Sequence, residues 1–309
     1  MQGQHLPGWL ATGLFRKKLT KLTHNRAVLL MVAVALMWST AGVITRQLES
    51  ARSFEITFWR SAFTAASLLV ILPLFQGRAV FKQILRGTTA FWISGVCWSV
   101  MFTAFMVALT LTSVANVLVT MAIGPLLTAL VAKIFIGHRV PMRTWVAILV
   151  AGAGIVYMYA AQIAGASLVG TLVTLCVPLA GAVNWTVTQH SHARGHDVDL
   201  IPAVLVGAVI SAAMTLPLAF PFQATAHDLV LLASLGLGQL AIPCVLSVIC
   251  ARILKAPEIS LLALLEVIFG IMLAWIGAHE VPSVSVLIGG AVVIGALVVN
   301  EVIGWRMRV

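Results

Sequence analysis

Two charged side chains stand inside apolar runs that are long enough to cross a bilayer, where an ionisable group is costly. Glu266 lies near the middle of PEISLLALLEVIFGIMLAWIGA, residues 257–278. Arg60 lies in the run 54–75, about six residues, or ~9 Å, from its beginning. A carboxylate at this depth can exchange protons or hold an ammonium group, and a guanidinium can bind a carboxylate through two parallel hydrogen bonds.

Each of these two residues also has a structural interpretation. A protonated Glu266 could hydrogen-bond a neighbouring helix and hold the two helices together. Arg60 could extend its side chain towards the bilayer surface, or pair with Glu55 or Glu49. We favour a role for Glu266 in proton coupling or substrate binding, whereas for Arg60 the sequence leaves both interpretations open.

A further set of candidates combines aromatic and uncharged polar side chains within the apolar runs. Trp98 and Phe102 are one helical turn apart, so they share a face that could hold an apolar or aromatic substrate or pack against another helix. The candidate lining residues are Trp38, Thr40, Trp98, Ser99, Phe102, Asn184, Trp185 and Gln239. Prolines within the runs release backbone carbonyls, which makes them candidate hinges or static kinks. These prolines are Pro125, Pro178 and Pro243.

The composition determines the class of protein. Hydrophobic residues make up 61% of the 309 positions and charged residues 9%, which is too little polar surface to cover a soluble globule. The formal net charge is +10, but Lys and Arg occur in short clusters between apolar runs, as membrane topology signals do. The sequence therefore predicts an all-α polytopic membrane protein that has the lipid bilayer, and not nucleic acid, as its partner.

Hydropathy along the chain predicts ten transmembrane helices with short connections. Both termini are predicted to be cytoplasmic, because this orientation leaves most Lys and Arg on the cytoplasmic side. Residues 1–26 form a basic segment and residues 304–309 a short tail. The predicted spans are 27–47, 54–75, 89–110, 114–136, 143–161, 166–189, 199–221, 228–251, 257–278 and 282–303.

The two halves of the chain resemble each other. IGHRVPMRTWVAILVAGAGIV (136–156) is similar to IGAHEVPSVSVLIGGAVVIGA (276–296), which predicts one repeat at 27–161 and a second at 166–303. Because five spans is an odd number, the second repeat enters the membrane from the opposite side. Inverted-topology repeats of this kind surround a central cavity near the bilayer midplane in transporters.

Metal, cofactor and enzymatic functions find little support. The connector HSHARGHDVDL (190–200) contains histidines and aspartates, but a connector between spans needs polar residues in any case. No ATP-binding GxxxxGK[ST] motif occurs, and no nucleophile, base and metal ligands converge in the sequence. We therefore expect neither a metal site nor a cofactor, and not an enzyme.

Four segments together resemble the drug/metabolite transporter superfamily, specifically its ten-helix EamA-type members, which include the YddG-type aromatic amino-acid exporters. The resemblance covers residues 27 to 303. It is carried by MWSTAGVITR, WRSAFTAASLL, TSVANVLVTMAIGPLLTALVAKIFIGHRVP and LLALLEVIFGIMLAWIGAHEVP.

The resemblance implies a basket of helices around a cavity and the transport of small organic solutes. On this basis we expect an exporter of small metabolites, amino acids including aromatic ones, that works by alternating access in the inner membrane, with protons as a candidate coupling ion. The alternatives are efflux of lipophilic cations or drugs, transport of another small metabolite, and a scaffold without transport activity.

Overall fold

The computed structural model describes residues 23–306, apart from 78, 86, 137–140, 161–167, 194–199, 251–252 and 255. The described residues form helices and connections and contain no strand. The helices are α1 (His24–Thr45), α2 (Ser53–Gln76), α3 (Val80–Leu85), α4 (Thr89–Leu111), α5 (Val114–Met121), α6 (Gly124–Ile136), α7 (Met142–Ala160), α8 (Leu168–Ala193), α9 (Ile201–Ala219), α10 (Ala226–Ser234), α11 (Ile242–Cys250), α12 (Ala256–Ala278) and α13 (Val284–Arg306).

Over the described part of the chain, 8 segments are long and apolar enough to cross a membrane. Each coincides with a span predicted from hydropathy, so the protein is a multi-pass membrane protein. The described residues of the other two predicted spans, 143–161 and 257–278, are also helical, as α7 and α12. Their described apolar stretches, Met142–Gly154 and Leu265–Ala278, are shorter than a full span.

Two of the spans are interrupted, and a candidate hinge proline follows each interruption. A turn at Ala122 and Ile123 separates α5 from α6, and Pro125 stands in the first turn of α6. Proline is favoured there because the first helical N–H groups have no intrahelical acceptor. Seven residues in π-helical conformation, the π segment Leu235–Ala241, separate α10 from α11, and Pro243 follows.

Pro178 differs from these two prolines because it lies inside the continuous helix α8. It faces α6, since a Cβ added to Gly124 would lie 3.7 Å from the Pro178 side chain. The structure thus associates two of the three candidate hinges with a change of helix geometry.

Helices from the two halves of the sequence pack against each other throughout the molecule. The closely packed pairs are α1 with α12, α2 with α9, α4 with α8, α4 with α9, α6 with α8, and α7 with α13. Glycine permits close approach where α2 meets the π segment, because a Cβ on Gly236 would lie 2.6 Å from the Cβ of Phe63. Hydroxyl groups also join three helices: Ser211 of α9 is 2.9 Å from Ser61 and 2.8 Å from Thr103.

Several predictions fall outside what the structure describes. Residues 1–22 of the basic N-terminal segment, residues 194–199 of the connector and residues 307–309 of the tail are among them. Within the described part of the chain, no group of three or more His, Cys, Asp or Glu side chains could hold a metal ion.

Candidate functional site

Polar side chains from five elements meet within the membrane-spanning part of the protein. We call this set the mid-span cluster: Trp38 of α1, Arg60 of α2, Gln239 of the π segment, Cys244 of α11 and Glu266 of α12. Direct contacts join Arg60 to Gln239 and Gln239 to Trp38. An electrostatic interaction connects Arg60 with Glu266, and a side-chain hydrogen bond connects Trp38 with Cys244.

Arg60 is enclosed by the protein, with 2% of its surface exposed. Its Nε and Nη2 donate to Oε1 of Gln239 at 3.2 and 2.8 Å, and its Nη1 donates to the carbonyl of Phe102 at 3.5 Å. The guanidinium also lies 5.6 Å from the ring centre of Phe105. The buried cation is therefore stabilised by an amide, a carbonyl and an aromatic ring, and it does not reach the bilayer surface.

The acidic partners considered for Arg60 are engaged elsewhere. Glu55 accepts hydrogen bonds from the backbone N–H groups of Gln223 and Ala224. Glu49 accepts one from the hydroxyl of Thr225 at 3.5 Å. The partner of Arg60 is Gln239, which the sequence offered only as a possible cavity residue.

The π segment positions Gln239 between two helices of the first half. While its Oε1 accepts from Arg60, its Nε2 donates to the carbonyl of Trp38 at 3.2 Å. The hydroxyl of Thr64 is shared between the carbonyl of Arg60, at 2.8 Å, and the carbonyl of Gly236, at 3.1 Å, and so joins the segment to α2. π-helical turns are rare and occur frequently at functional sites.

Glu266 differs from Arg60 because its side chain is only half-buried. No described residue forms a hydrogen bond with its carboxylate, and its interaction with Arg60 is electrostatic without a direct ion pair. Its helix lies close along α1, where a Cβ on Gly270 would be 3.7 Å from the Cβ of Ser39. Glu266 is thus the accessible charge of the mid-span cluster.

Trp98, Ser99 and Phe102 belong to the interface between α4 and α9. All three are buried, and the rings of Trp98 and Phe102 are 5.5 Å apart. A Cβ on Gly207 of α9 would meet the Cβ of Trp98, so α9 directly covers this face. The shared face predicted from the spacing exists, and the structure packs it against a helix. Phe102 still contributes its carbonyl to Arg60.

The remaining candidates are distributed over α1 and α8. The hydroxyl of Thr40 donates to the carbonyl of Met37, one turn earlier in α1, at 2.7 Å. Trp185 is half-buried and Asn184 is buried on α8, the helix that packs against α4 and α6. Of the ten candidate site residues, the structure brings four into the mid-span cluster: Trp38, Arg60, Gln239 and Glu266.

One end of the helical bundle carries a second polar network, which the sequence did not reveal. We call it the Arg46 end, formed by the connections 46–52, 112–113, 220–225 and 279–283. Arg46 at the end of α1 donates to Glu280 at 2.8 Å and to the carbonyls of Leu109 and Thr112 at 3.0 and 2.9 Å. The other carboxylate oxygen of Glu280 accepts from the N–H of Val114 at 2.7 Å.

Asp228 carries the densest set of contacts at the Arg46 end. Its carboxylate accepts the N–H groups of Glu49, Ser50 and Ala51, at 2.8, 3.1 and 3.0 Å. It also forms a capping box with Thr225 at the start of α10. The spacing Thr-x-x-Asp before an apolar run is a sequence signal for such a cap, but it does not predict the contact with the α1–α2 connection.

Comparison with known proteins adds a family match for the first half. Residues 25–160 match the EamA-like transporter family, which points to a membrane transporter of small substrates and not to an enzyme. No curated protein matches the chain. Matches were found to 23 chains of solved structures. One crystal structure covers 93% of this chain and 100% of its own, with 20% sequence identity and a TM-score of 0.63, so the two share a fold.

Proposed function

We propose that the protein is a secondary transporter that exports amino acids, including aromatic ones, by alternating access of its two halves. The family match supports transport of small substrates. The environment of Glu266 supports the proposed amino-acid substrate, because its carboxylate is half-buried within a span and no described residue hydrogen-bonds it. Such a group can bind the ammonium of an amino acid or a coupling proton.

The proposal includes ten spans arranged as two inverted repeats, and the packing of the helices supports it. If the spans are numbered in the predicted order, each span of the first repeat is equivalent to the span five places later. The fourth span packs on the sixth, and their equivalents, the ninth and the first, also pack on each other. The third span packs on the seventh, and their equivalents, the eighth and the second, do the same, while the second–seventh and fifth–tenth pairs each join two equivalent spans. This is the contact pattern that a two-fold axis between the halves would generate.

Arg60 has a different role in this proposal. Its guanidinium is directed to Gln239 and the carbonyl of Phe102, and 2% exposure leaves little surface for a substrate carboxylate. We assign it to holding α2 and the π segment together while its charge acts on Glu266 through space. The residue that meets the substrate is Glu266.

Efflux of lipophilic cations is the second candidate function, and one observation favours it. The mid-span cluster offers an accessible carboxylate together with an enclosed arginine, which suits a positively charged substrate better than an anion. Under both candidates the protein resides in the inner membrane with cytoplasmic termini, in accordance with the distribution of Lys and Arg.

Counterflow in proteoliposomes tests the two candidates against each other. Purified protein is reconstituted and loaded with an amino-acid panel in one set of vesicles and with tetraphenylphosphonium in another, each with and without a pH gradient. Exchange of aromatic amino acids supports the first candidate, and exchange of the cation alone supports the second. If neither probe exchanges under any condition, the transport proposal is wrong and the scaffold alternative gains support.

A further inference from the structure

The Arg46 end joins the two halves of the sequence by two different kinds of link. The first is a carboxylate clamp, formed by Glu55 and Asp228. Glu55, in the first turn of α2, accepts N–H groups of the connection before α10. Asp228, in the first turn of α10, accepts N–H groups of the connection before α2. Each helix thus binds the connection that precedes the other.

The carboxylate clamp is buried, since both side chains have 0% exposure. Opening it would leave two desolvated carboxylates and several backbone N–H groups without partners, which is strongly unfavourable. The helices of the clamp also remain joined further into the membrane, where Arg60 and Thr64 of α2 contact the π segment that continues α10. α2 and α10 therefore act as one rigid unit across the boundary between the halves.

The second link is the pair of Arg46 and Glu280. Their side chains are 31% and 21% exposed, so water can solvate both charges when they separate. Glu280 follows His279, which has a φ of 53° and a left-handed conformation that non-glycine residues seldom adopt. The connection 279–283 is thus attached to the first half by an exposed ion pair and the bond from Val114.

We propose that the Arg46–Glu280 pair is the latch of the Arg46 end: it breaks when this end opens, while the carboxylate clamp stays closed. The latch rests on the proposed alternating-access function. The end of α12 and the connection 279–283 move away from Arg46 and Val114, and α2 with α10 stays in place. The carbonyls of Leu109 and Thr112 keep Arg46 on the first half during this movement.

A distance measurement between spin labels tests the latch without any substrate. The labels are attached at Ser50→Cys, on the connection held by the clamp, and at Val281→Cys, on the connection that moves. Cys176, the exposed native cysteine among those described, is replaced by serine so that only the new cysteines react. Pulsed electron paramagnetic resonance then gives the distance distribution for full-length protein in lipid nanodiscs.

We expect Glu280→Gln and Arg46→Gln each to increase the population at longer distance by about twofold to tenfold. This range corresponds to the loss of a partly exposed ion pair together with a charge-assisted hydrogen bond. Arg52→Gln is the matched control, because Arg52 lies at the same end and its guanidinium donates to the carbonyl of Pro221 without an ion pair. We expect no shift for this variant.

Unchanged distance distributions in both Glu280→Gln and Arg46→Gln would overturn the latch, as would an equal shift in Arg52→Gln. Size-exclusion chromatography verifies that each variant is folded. If Glu280→Gln is not folded, Arg46→Lys takes its place. This variant keeps the charge but loses the planar guanidinium, so it must shift the distance in the same direction as Arg46→Gln and by less. A shift without counterflow of any probe would retain the latch and reject the transport function.

Discussion

The carboxylates of this protein occupy two contrasting environments. At the Arg46 end, Asp228 and Glu55 accept several backbone N–H groups, and Glu280 binds Arg46 and the N–H of Val114. In the mid-span cluster, Glu266 receives no hydrogen bond from any described residue and is half-buried. Arg60 acts on it through space and is itself bound to Gln239.

This difference separates structural carboxylates from a functional candidate. A carboxylate whose oxygens are occupied by backbone donors fixes the chain and has little capacity left for a ligand. A carboxylate in a low-dielectric environment without such donors has a strong tendency to bind a proton or an ammonium group. The two environments therefore predict opposite responses to the same chemical change, the replacement of an acid by its amide.

The largest effect is expected for Glu266→Gln. Transport of the best counterflow substrate should fall about tenfold to a hundredfold, because a hydrogen bond to a charged group contributes about 1.5–3 kcal/mol. The melting temperature of the purified protein should stay nearly unchanged, since no described hydrogen bond is lost. Glu49→Gln, an exposed acid at the Arg46 end, is the control and should transport normally. Normal transport by Glu266→Gln would remove it from the site.

The opposite response is expected for Asp228→Asn. In Asn, an NH2 group replaces one carboxylate oxygen, so a hydrogen-bond donor faces backbone N–H groups that are donors themselves. This should lower the unfolding free energy by about 2–3 kcal/mol. The melting temperature in detergent should fall clearly, whereas the transport rate per folded molecule should change little. A variant as stable as the parent would mean that the carboxylate clamp does not hold the Arg46 end together.

A double-mutant cycle on Arg60→Met and Gln239→Leu sharpens the role of the buried cation. Each single change should destabilise the protein, because it leaves a buried polar partner unsatisfied. The double change should cost less than the sum of the two, with a coupling energy of about 1–3 kcal/mol. The melting temperatures of the four proteins measure this. Strictly additive effects would show that the Arg60–Gln239 contact does not stabilise the π segment.

The smallest effect is expected for Ser211→Ala. The hydroxyl of Ser211 bonds Ser61 and Thr103, and its removal should cost about 1 kcal/mol because the lost hydrogen bonds join neutral groups. Transport should be unaffected, and thermal unfolding measures the loss. An effect as large as that of Asp228→Asn would contradict the distinction between charged and neutral polar contacts.

The membrane class of the protein and the position of eight of its spans could be predicted from its sequence. Apolar runs determine where a chain crosses the bilayer, so α2 begins and ends one residue from its predicted bounds, and α4 begins at the predicted residue and ends one residue later. The choice of Glu266 as a candidate site residue also follows from sequence, because a carboxylate within a long apolar run can be recognised without knowing its neighbours in space.

The partners of these residues could not be predicted. Gln239 contacts Arg60 because the π segment turns it towards α2, and hydropathy does not distinguish a π turn from an α turn. The face shared by Trp98 and Phe102 was predictable, but its neighbour α9 depends on how helices distant in the sequence pack. For the same reason, the spacing of Glu55 and Asp228 did not indicate that each binds the connection before the other's helix.

Infrared difference spectroscopy of the reconstituted protein tests most directly whether Glu266 is the group that meets the substrate. L-phenylalanine and tetraphenylphosphonium are added in turn, and the carboxyl stretching region is recorded for the parent, Glu266→Gln and Glu280→Gln. We expect a change in this region for the transported compound that persists in Glu280→Gln and disappears in Glu266→Gln. The same change in Glu266→Gln as in the parent would show that Glu266 does not meet the substrate.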